Sequence, residues 1–323
     1  MTPLARRSVR GDEREVAAGA SFMTIDFFDS RFKGLDLWDD ADILAAIIDG
    51  QEGAVRAVRG ALPGIAAATA AAAPRLKDGR GRLVYAGAGT PARLAVLDGV
   101  ELTPTYGWPV GRLAFLVAGG ERALVASVEE AEDDAAAAAR DVAGLPGGVT
   151  ADDVMIAVSA SGRTPYTLEA CRRAKAGGAL TVGLSSVRGS PLLLACDRPV
   201  FLDSGPEPVG GSTRMNAGTA QKAALNAIST LLMIRLGRVY DGYMVDVAPA
   251  NAKLRGRALA MLREIAGCGE VEAARALDKA GGHVKLAVLL LRGLTPDDAR
   301  ARLHRTGGDL RRALSELGAV GSS

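Results

Sequence analysis

Aromatic residues, histidine and cysteine are scarce in this chain, and their scarcity limits the chemistry it can carry. Among 323 residues there are two histidines and three cysteines, and aromatic residues make up 4%. The cysteines are odd in number and stand in separate contexts, and neither histidine stands at metal-ligand spacing from a cysteine pair. We therefore expect neither a disulfide framework nor a metal site.

A predominant charge sign and a long apolar run are absent as well. The 39 Lys and Arg residues nearly balance 37 Asp and Glu residues, leaving a net charge of +2. We therefore expect no nucleic-acid binding and no membrane association. Because no run of about 18 apolar residues and no signal-peptide segment occurs, we expect a cytoplasmic protein. The first residues, about 20 in number, are polar and basic, and we expect them to be poorly ordered.

Short apolar runs alternate with helical patterns through the middle of the chain. Runs that lack polar alternation are typical of strands buried on both faces of a parallel sheet. The sequence therefore predicts an α/β fold, a three-layer αβα domain around a five-stranded parallel sheet. The predicted strands are RLVYA (82–86), RLAFLVA (112–118), VMIAVS (154–159), LTVGLSS (180–186) and PVFLD (199–203).

Helical patterns precede, connect and follow these strands. Apolar residues at three- and four-residue spacings predict two or three helices in residues 40–76, and one long helix from about Glu121 to Ala143. Towards the C-terminus the β-rich runs stop, and helical segments separated by glycine predict a small bundle. The predicted divisions are a variable N-terminal segment (1–38), an α/β domain with leading helices (39–250) and a helical C-terminal region (251–323).

Three loops after predicted strands combine glycine with serine or threonine. At the carboxyl edge of a parallel sheet, helix N-termini offer free N–H groups to anions. No Walker lysine follows these loops, and the first lacks the acidic partner of a dinucleotide site, so a sugar phosphate suits them better than a nucleotide. The other interpretation of the hydroxyl groups is helix capping. The candidate substrate-binding residues are Gly89, Thr90, Ser159, Ser161, Gly162, Thr164, Ser212, Thr213 and Arg214.

Four motifs, found together, point to one family: AGAGTPARLAVLDGVELTPTYG, SVEEAEDD, VSASGRTPYT and GGSTRMNAGTAQK followed by YDGYMVDV. From about residue 43 to about residue 314 the chain resembles the N-acetylmuramic acid 6-phosphate etherases, members of the sugar isomerase (SIS) domain superfamily. The resemblance implies a SIS domain, a C-terminal bundle like a ubiquitin-associated (UBA) domain, a homodimer and no cofactor.

The implied substrate is a phosphorylated amino sugar. Elimination and hydration would cleave the D-lactyl ether of N-acetylmuramate 6-phosphate, giving N-acetylglucosamine 6-phosphate and D-lactate in cell-wall recycling. Because the family is one of dimers, the resemblance also implies that the active site borrows residues from a second subunit.

The same resemblance assigns acid and base roles to two glutamates. It implies that Glu101, in VLDGVELTP, protonates the departing lactate oxygen, and that Glu132, in VEEAEDD, removes the C2 proton. Glu129, Glu130 and Asp133 stand beside it as alternative bases. Because desolvation makes a carboxylate a stronger base, we expect Glu132 to face an enclosed cavity.

Two positions depart from the family pattern. Members usually read GTSGR where this chain has GTPAR, so Pro91 removes one hydroxyl and one N–H from a turn that faces phosphate. A proline there still allows a helix to begin, with Thr90 as the expected N-cap. Asn216 replaces a usual lysine, which removes a positive charge near the site.

Two other functions are compatible with the sequence. A non-catalytic SIS-domain regulator that binds a sugar phosphate would fit the departures at Pro91 and Asn216, but it would not need both Glu101 and Glu132. An aldose–ketose isomerase or deaminase on the same scaffold is disfavoured because no histidine falls in the α/β part.

Overall fold

The five predicted strands are present as β1 (Leu83–Gly87), β2 (Leu113–Val117), β3 (Val154–Val158), β4 (Leu180–Ser185) and β5 (Arg198–Phe201). They form one parallel sheet in the order β2-β1-β3-β4-β5. The computed structural model describes residues 29–77, 79–247, 249 and 251–320. Every residue of β1, β3 and β4 is buried, as expected for strands covered on both faces. The predicted fold class is thereby confirmed.

Helices lie before, between and after the strands. Within the described residues they are α1 (Asp40–Lys77), α2 (Gly89–Val100), α3 (Leu102–Tyr106), α4 (Arg122–Val125), α5 (Ala135–Ala143), α6 (Pro165–Ala176), α7 (Pro191–Ala195), α8 (Asn216–Arg235), α9 (Ala252–Ala266), α10 (Glu270–Lys279), α11 (Val284–Leu291), α12 (Pro296–Arg305) and α13 (Leu310–Val320). Short 3-10 turns occupy Ser30–Phe32, Leu35–Leu37, Val110–Arg112 and Ala131–Asp133. The predicted disorder of the first residues, and most of segment 1–38, lie outside the described residues.

Alternate residues of each strand enter different hydrophobic layers. Leu83 and Tyr85 of β1 pack in the cluster that includes α1 and α8, whereas Val84 and Ala86 pack in the cluster that includes α5 and α6. This alternation follows from the period of two along a strand. The sheet therefore lies between two helical layers.

The expectation of two or three helices in residues 40–76 is wrong, because α1 is a single helix of 38 residues. Proline inside a helix removes a hydrogen bond and usually breaks it, yet the helix continues through Pro63 and Pro74. Buried residues such as Val58, Ile65 and Leu76 keep one face of α1 against the core along its length. Tertiary packing of that face outweighs the local effect of the prolines.

The expectation of one long helix from Glu121 to Ala143 is also wrong. The segment contains the four-residue helix α4, the 3-10 turn Ala131–Asp133 and then α5. Glu130 has a φ of 61°, which is incompatible with a right-handed helix. The side chain of Asp134 accepts a hydrogen bond from the N–H of Ala137 at 2.7 Å, so α5 begins immediately after it.

The helices α9 to α13 share a hydrophobic cluster separate from those of the sheet. Thr295 caps α12 as its sequence indicates, accepting from the N–H of Asp298 at 3.2 Å, with Pro296 in the first turn. The UBA-like character and the domain boundaries stay predictions. None of the helices in the described ranges is both long and apolar enough to span a membrane.

Candidate active site

The strand order places a change of direction between β1 and β3. From β1 the sheet continues to β2 on one side and to β3 on the other. In open parallel sheets, ligands bind beyond the carboxyl ends of the strands at such a point. The loops that follow β1 and β3 are the first two of the three predicted anion-binding loops.

The turn after β1 leads directly into α2. Gly87 is tightly enclosed, since a Cβ there would lie 3.1 Å from the backbone N of Ala92 and the carbonyl O of Val158. Helix α2 begins at Gly89 and its N-cap residue is Ala88. Gly89 has a φ of 56°, which glycine adopts without strain. The expected N-cap role of Thr90 is therefore wrong.

The loop after β3 is shaped by its own hydroxyl groups. Ser159 is 2% exposed, and its Oγ accepts from the N–H of Gly162 at 3.0 Å and lies 2.9 Å from the Oγ1 of Thr164. The Oγ of Ser161 accepts from the N–H of Arg163 at 3.2 Å. Gly162 has a φ of 64°, and a Cβ there would lie 2.6 Å from the Oγ of Ser185. Ser159 and Gly162 therefore determine the loop's shape from beneath its surface.

The third loop is anchored by a residue that the sequence interpretation missed. Glu207 is 1% exposed, and its carboxylate accepts from the N–H groups of Asn216 at 2.8 Å and Ala217 at 3.0 Å. Burial raises the pKa of Glu207, although these two hydrogen bonds and Arg214 oppose the rise. The N-terminus of α8 is therefore occupied by the chain's own carboxylate. Its signal in the sequence is a lone acidic residue within the loop GPEPVGG.

All three loops border one cleft of about 400 Å³. Its lining includes five predicted substrate-binding residues, Gly89, Thr90, Ser161, Thr164 and Thr213, together with Ala88, Pro91, Glu132, Asp133, Ala160, Arg163, Pro165 and Gly211. Four other predicted residues, Ser159, Gly162, Ser212 and Arg214, belong to the same loops but are not part of this lining.

Glu132 lies in this cleft, on the 3-10 turn that precedes α5. Its side chain is exposed, so the enclosed cavity that we expected is not formed by this chain alone. The segment before Glu132 is held by Arg93 of α2, which donates to the carbonyl groups of Ala123 at 2.9 Å and Ala126 at 3.0 Å. The first loop and the segment that leads to Glu132 are thus attached to the same helix.

Glu101 lies in a different cleft. That cleft, of about 340 Å³, is also lined by Lys222, Asn226 and the α3 residues Leu102, Thr105 and Tyr106. Helix α2 has 12 residues and, at about 1.5 Å per residue, places about 18 Å between Gly89 and Glu101. Within one chain, the structure therefore brings Glu132, but not Glu101, to the predicted phosphate loops.

A buried hydrogen-bond network forms one wall of the Glu101 cleft. Asp98 accepts from the hydroxyl of Tyr85 at 2.9 Å, the side-chain amide of Asn226 at 2.7 Å and the hydroxyl of Ser229 at 3.0 Å. Burial, reinforced by the negative charge of Asp98, raises the pKa of Tyr85. With these partners fixed, the helix that ends at Glu101 is held firmly against α8 and β1.

No group of three or more His, Cys, Asp or Glu side chains in the described part of the chain is arranged to hold a metal ion.

Two family models match the sequence. One is described as the glucokinase regulatory protein N-terminal SIS domain and covers residues 65–174, and the other is described as the SIS domain and covers residues 134–231.

Known relatives match nearly the whole chain. The N-acetylmuramic acid 6-phosphate etherase of Deinococcus radiodurans is 51% identical over 293 residues, which are 90% of this chain and 95% of that protein. The etherase of Streptomyces avermitilis is 45% identical over 304 residues, 94% of this chain and 96% of that protein. This chain belongs to the N-acetylmuramic acid 6-phosphate etherase family.

Solved structures that match this etherase-family chain have lower sequence identity to it. E. coli CFT073 c3406 in complex with A5P is 19% identical, with a TM-score of 0.43 over 61% of this chain and 93% of that one. A phosphoheptose isomerase from Francisella tularensis is 17% identical, with a TM-score of 0.42 over 60% of this chain and 98% of that one.

The two departures from the etherase-family pattern have different surroundings. Pro91 lines the cleft of the three loops. Asn216 is 2% exposed, donates to the carbonyl of Pro206 at 2.9 Å and accepts from the side-chain amide of Gln51 at 3.2 Å. Asn216 therefore joins the third loop to α1 and does not line the cleft.

Proposed function

We propose that this chain cleaves the D-lactyl ether of N-acetylmuramate 6-phosphate, giving N-acetylglucosamine 6-phosphate and D-lactate. The observation that carries the proposal is the cleft in which Glu132 faces the three loops, in a chain that belongs to the etherase family. A carboxylate beside a set of hydroxyl and N–H donors suits a phosphorylated sugar that must lose a proton from carbon.

The phosphate is bound by the surfaces of the loops. Thr90, Ser161, Thr164 and Thr213 supply hydroxyl groups to the cleft, and Gly89 supplies an unhindered backbone. Ser159 and Gly162 support the second loop from below, and Ser212 and Arg214 extend the third loop beside the cleft. Donors of this kind bind a phosphate locally, so the small net charge of the chain is no obstacle.

The chemistry begins from the open-chain sugar, whose C1 aldehyde acidifies the C2 proton. Glu132 takes that proton, and the electron pair left at C2 forms the C2–C3 double bond as the C3–O bond breaks. Glu101 gives a proton to the departing lactyl oxygen. Water then adds its oxygen at C3 and a proton returns to C2, so the sum is one ether plus one water giving an alcohol and lactate. A positioned acid or base typically contributes about 10²–10⁴-fold to the rate.

The proposed enzyme is a cytoplasmic homodimer in which Glu101 of one chain completes the cleft of the other. Within one chain, α2 places Glu101 about 18 Å from Gly89, and Glu101 and Glu132 line different clefts. Leu97 and Val100, on the last turn of α2, are 53% and 45% exposed beside Glu101. In such a dimer the partner's segment at Glu101 would also exclude water from the open cleft at Glu132.

Release of D-lactate tests the activity. The purified protein is incubated with N-acetylmuramate 6-phosphate and D-lactate is measured over time, with the Glu132→Gln variant as the matched control. Saturable binding of the substrate without lactate release would refute the etherase proposal and favour the sugar-phosphate-binding regulator. Deuterium entry from solvent at C2 of the product tests the base, because undiminished entry in Glu132→Gln would remove that role from Glu132.

A further inference from the structure

The short helix that follows Glu101 is held at its far end by an arginine from another part of the chain. Helix α3 ends at Tyr106 and is followed by its C-cap residue Gly107, which has a φ of 60°. Arg238, which follows α8, donates from Nη1 to the carbonyl groups of Tyr106 at 2.7 Å and Gly107 at 3.0 Å. Five residues form too short a helix to be stable alone, so Arg238 contributes to the position of the segment that starts at Glu101.

Arg238 also contacts the segment after α3, where its guanidinium group lies over the ring of Trp108. Trp108 is 1% exposed, and its ring centroid lies 5.1 Å from the guanidinium carbon of Arg238 and 4.3 Å from that of Arg112. Arg112 donates to the carbonyl groups of Gly81 and Leu76, each at 2.7 Å. Burial lowers the pKa of Arg112, as does the nearby positive charge of Arg238. Arg112 thus ties Trp108 to the α/β domain, whereas Arg238 connects it to the segment after α8.

A buried lysine of the C-terminal region is the next group in this chain of contacts. Lys285 of α11 is 7% exposed, and its Nζ donates to Oδ2 of Asp246 at 2.6 Å and to the carbonyl of Gly308 at 2.7 Å. The same Oδ2 of Asp246 lies 3.8 Å from Nη1 of Arg238. Burial lowers the pKa of Lys285, and Asp246 opposes that change. Asp246 therefore lies between two cations that belong to different parts of the fold.

The backbone of Asp246 also lies close to Gly107, the residue that follows α3. A Cβ at Gly107 would lie 2.6 Å from the carbonyl O of Asp246. Any displacement of Asp246 therefore acts on α3 through the backbone as well as through Arg238. Arg238, Asp246 and Lys285 do not line the Glu101 cleft, whereas Leu102, Thr105 and Tyr106 do.

We propose that the C-terminal helical region positions Glu101 for catalysis: Lys285 fixes Asp246, Asp246 orients Arg238, and Arg238 holds α3. The proposal rests on the proposed function, in which Glu101 is the acid. Arg238 and Lys285 are positioning residues, because they act on Glu101 only through α3. Their effect belongs to the chemical step, since the loops that hold the phosphate are made from other parts of the chain.

The test compares Arg238→Met and Lys285→Met with the conservative variants Arg238→Lys and Lys285→Arg. We expect kcat to fall by about tenfold to a hundredfold in the Met variants, because a displacement of about 1 Å can cost that much. KM should change little, and the conservative variants should recover part of the loss because they keep a donor. Arg255→Met is the matched control, since it removes an ion pair of 2.6 Å to Asp278 inside the C-terminal region without touching α3.

Melting temperature and amide hydrogen exchange separate positioning from stability. A purely structural role would lower the melting temperature while leaving kcat of the folded protein unchanged, and that result would overturn the proposal. Exchange at residues 102–108 should accelerate in Lys285→Met but not in Arg255→Met. Unchanged exchange there would refute the coupling whether or not lactate is released, whereas a wild-type protein that releases no lactate would refute the proposed function.

Discussion

Mixing two inactive variants tests whether each site needs both chains. The variants are Glu101→Gln and Glu132→Gln, each purified and then co-assembled, with different affinity tags to isolate the mixed dimers. If Glu101 completes the partner's cleft, a mixed dimer contains one site with both native glutamates and one site with neither. The prediction follows from the two separate clefts and from the length of α2, which places Glu101 about 18 Å from Gly89 in the cleft of Glu132.

The expected magnitude follows from two-fold symmetry. Random reassortment makes half of the dimers mixed, and each has one intact site of two, so the mixture should recover about one quarter of the wild-type rate. The purified mixed dimer should reach about half. Each parent alone should be lower than wild type by about 10²–10⁴-fold, so the recovery would be plain in a lactate assay.

A reciprocal mixture provides the control. Combining wild type with the double variant Glu101→Gln/Glu132→Gln gives mixed dimers with no intact site if the glutamates act across the interface, and with one intact site if they act within a chain. The reasoning is refuted if the two single variants together stay at the parental rate while the wild-type mixture retains the activity of its mixed dimers.

Three further changes have expected outcomes. Glu130→Gly should raise the melting temperature, because the left-handed backbone at Glu130 costs a non-glycine residue about 1 kcal/mol or more. Glu129→Gly is the control, and equal changes in melting temperature for the two variants would contradict this explanation. Pro91→Ser should lower KM by up to about tenfold in the lactate assay and leave kcat unchanged, because it restores an N–H and a hydroxyl to the cleft. An unaltered KM would show that position 91 does not affect phosphate binding. Asp153→Asn should lower the free energy of unfolding by about 3 kcal/mol in denaturant unfolding, because Arg82 loses its buried carboxylate partner, whose Oδ2 lies 2.7 Å from its Nη2. A change near zero would show that this ion pair does not stabilise the fold.

The stabilisation that the Asp153–Arg82 ion pair contributes should also depend on pH. Burial alone would raise the pKa of Asp153, but hydrogen bonds from Arg82 and the backbone N–H of Thr150, with the charge of Arg82, outweigh it and the pKa is lowered below 3.8. The stabilisation is therefore complete above the unfolded value of about 3.8 and is lost as the pH falls through the lower folded value. Wild type and Asp153→Asn should converge in stability only in that acidic range.

Local patterns predicted the sheet well because β1, β3 and β4 are buried along their whole length and read as apolar runs. The helices were predicted less well where distant contacts override local signals. The sequence predicts two or three helices in residues 40–76, yet α1 is one helix that continues through Pro63 and Pro74, because its buried face packs against the core. The helix predicted from Glu121 to Ala143 is interrupted at Glu130, whose φ of 61° is not indicated by its residue type.

The site was predicted in part. Hydroxyl-rich loops after parallel strands must meet at one edge of the sheet, so their gathering follows from topology. Glu207 was missed because its role depends on a loop that folds back onto the N-terminus of α8. The enclosure expected at Glu132 was wrong for one chain because the cleft is open to solvent.

By itself, the sequence determined the fold class, the family and the two candidate glutamates, since these reside in apolar periodicity and in contiguous motifs. Only the tertiary structure decided that Glu101 and Glu132 lie in separate clefts of one chain. It also decided that Arg238 and Lys285 are linked to α3 through Asp246. The physical reason is that a motif specifies which residues stand near one another along the chain, whereas the length of α2 and the packing of the C-terminal helices determine which of them meet in space.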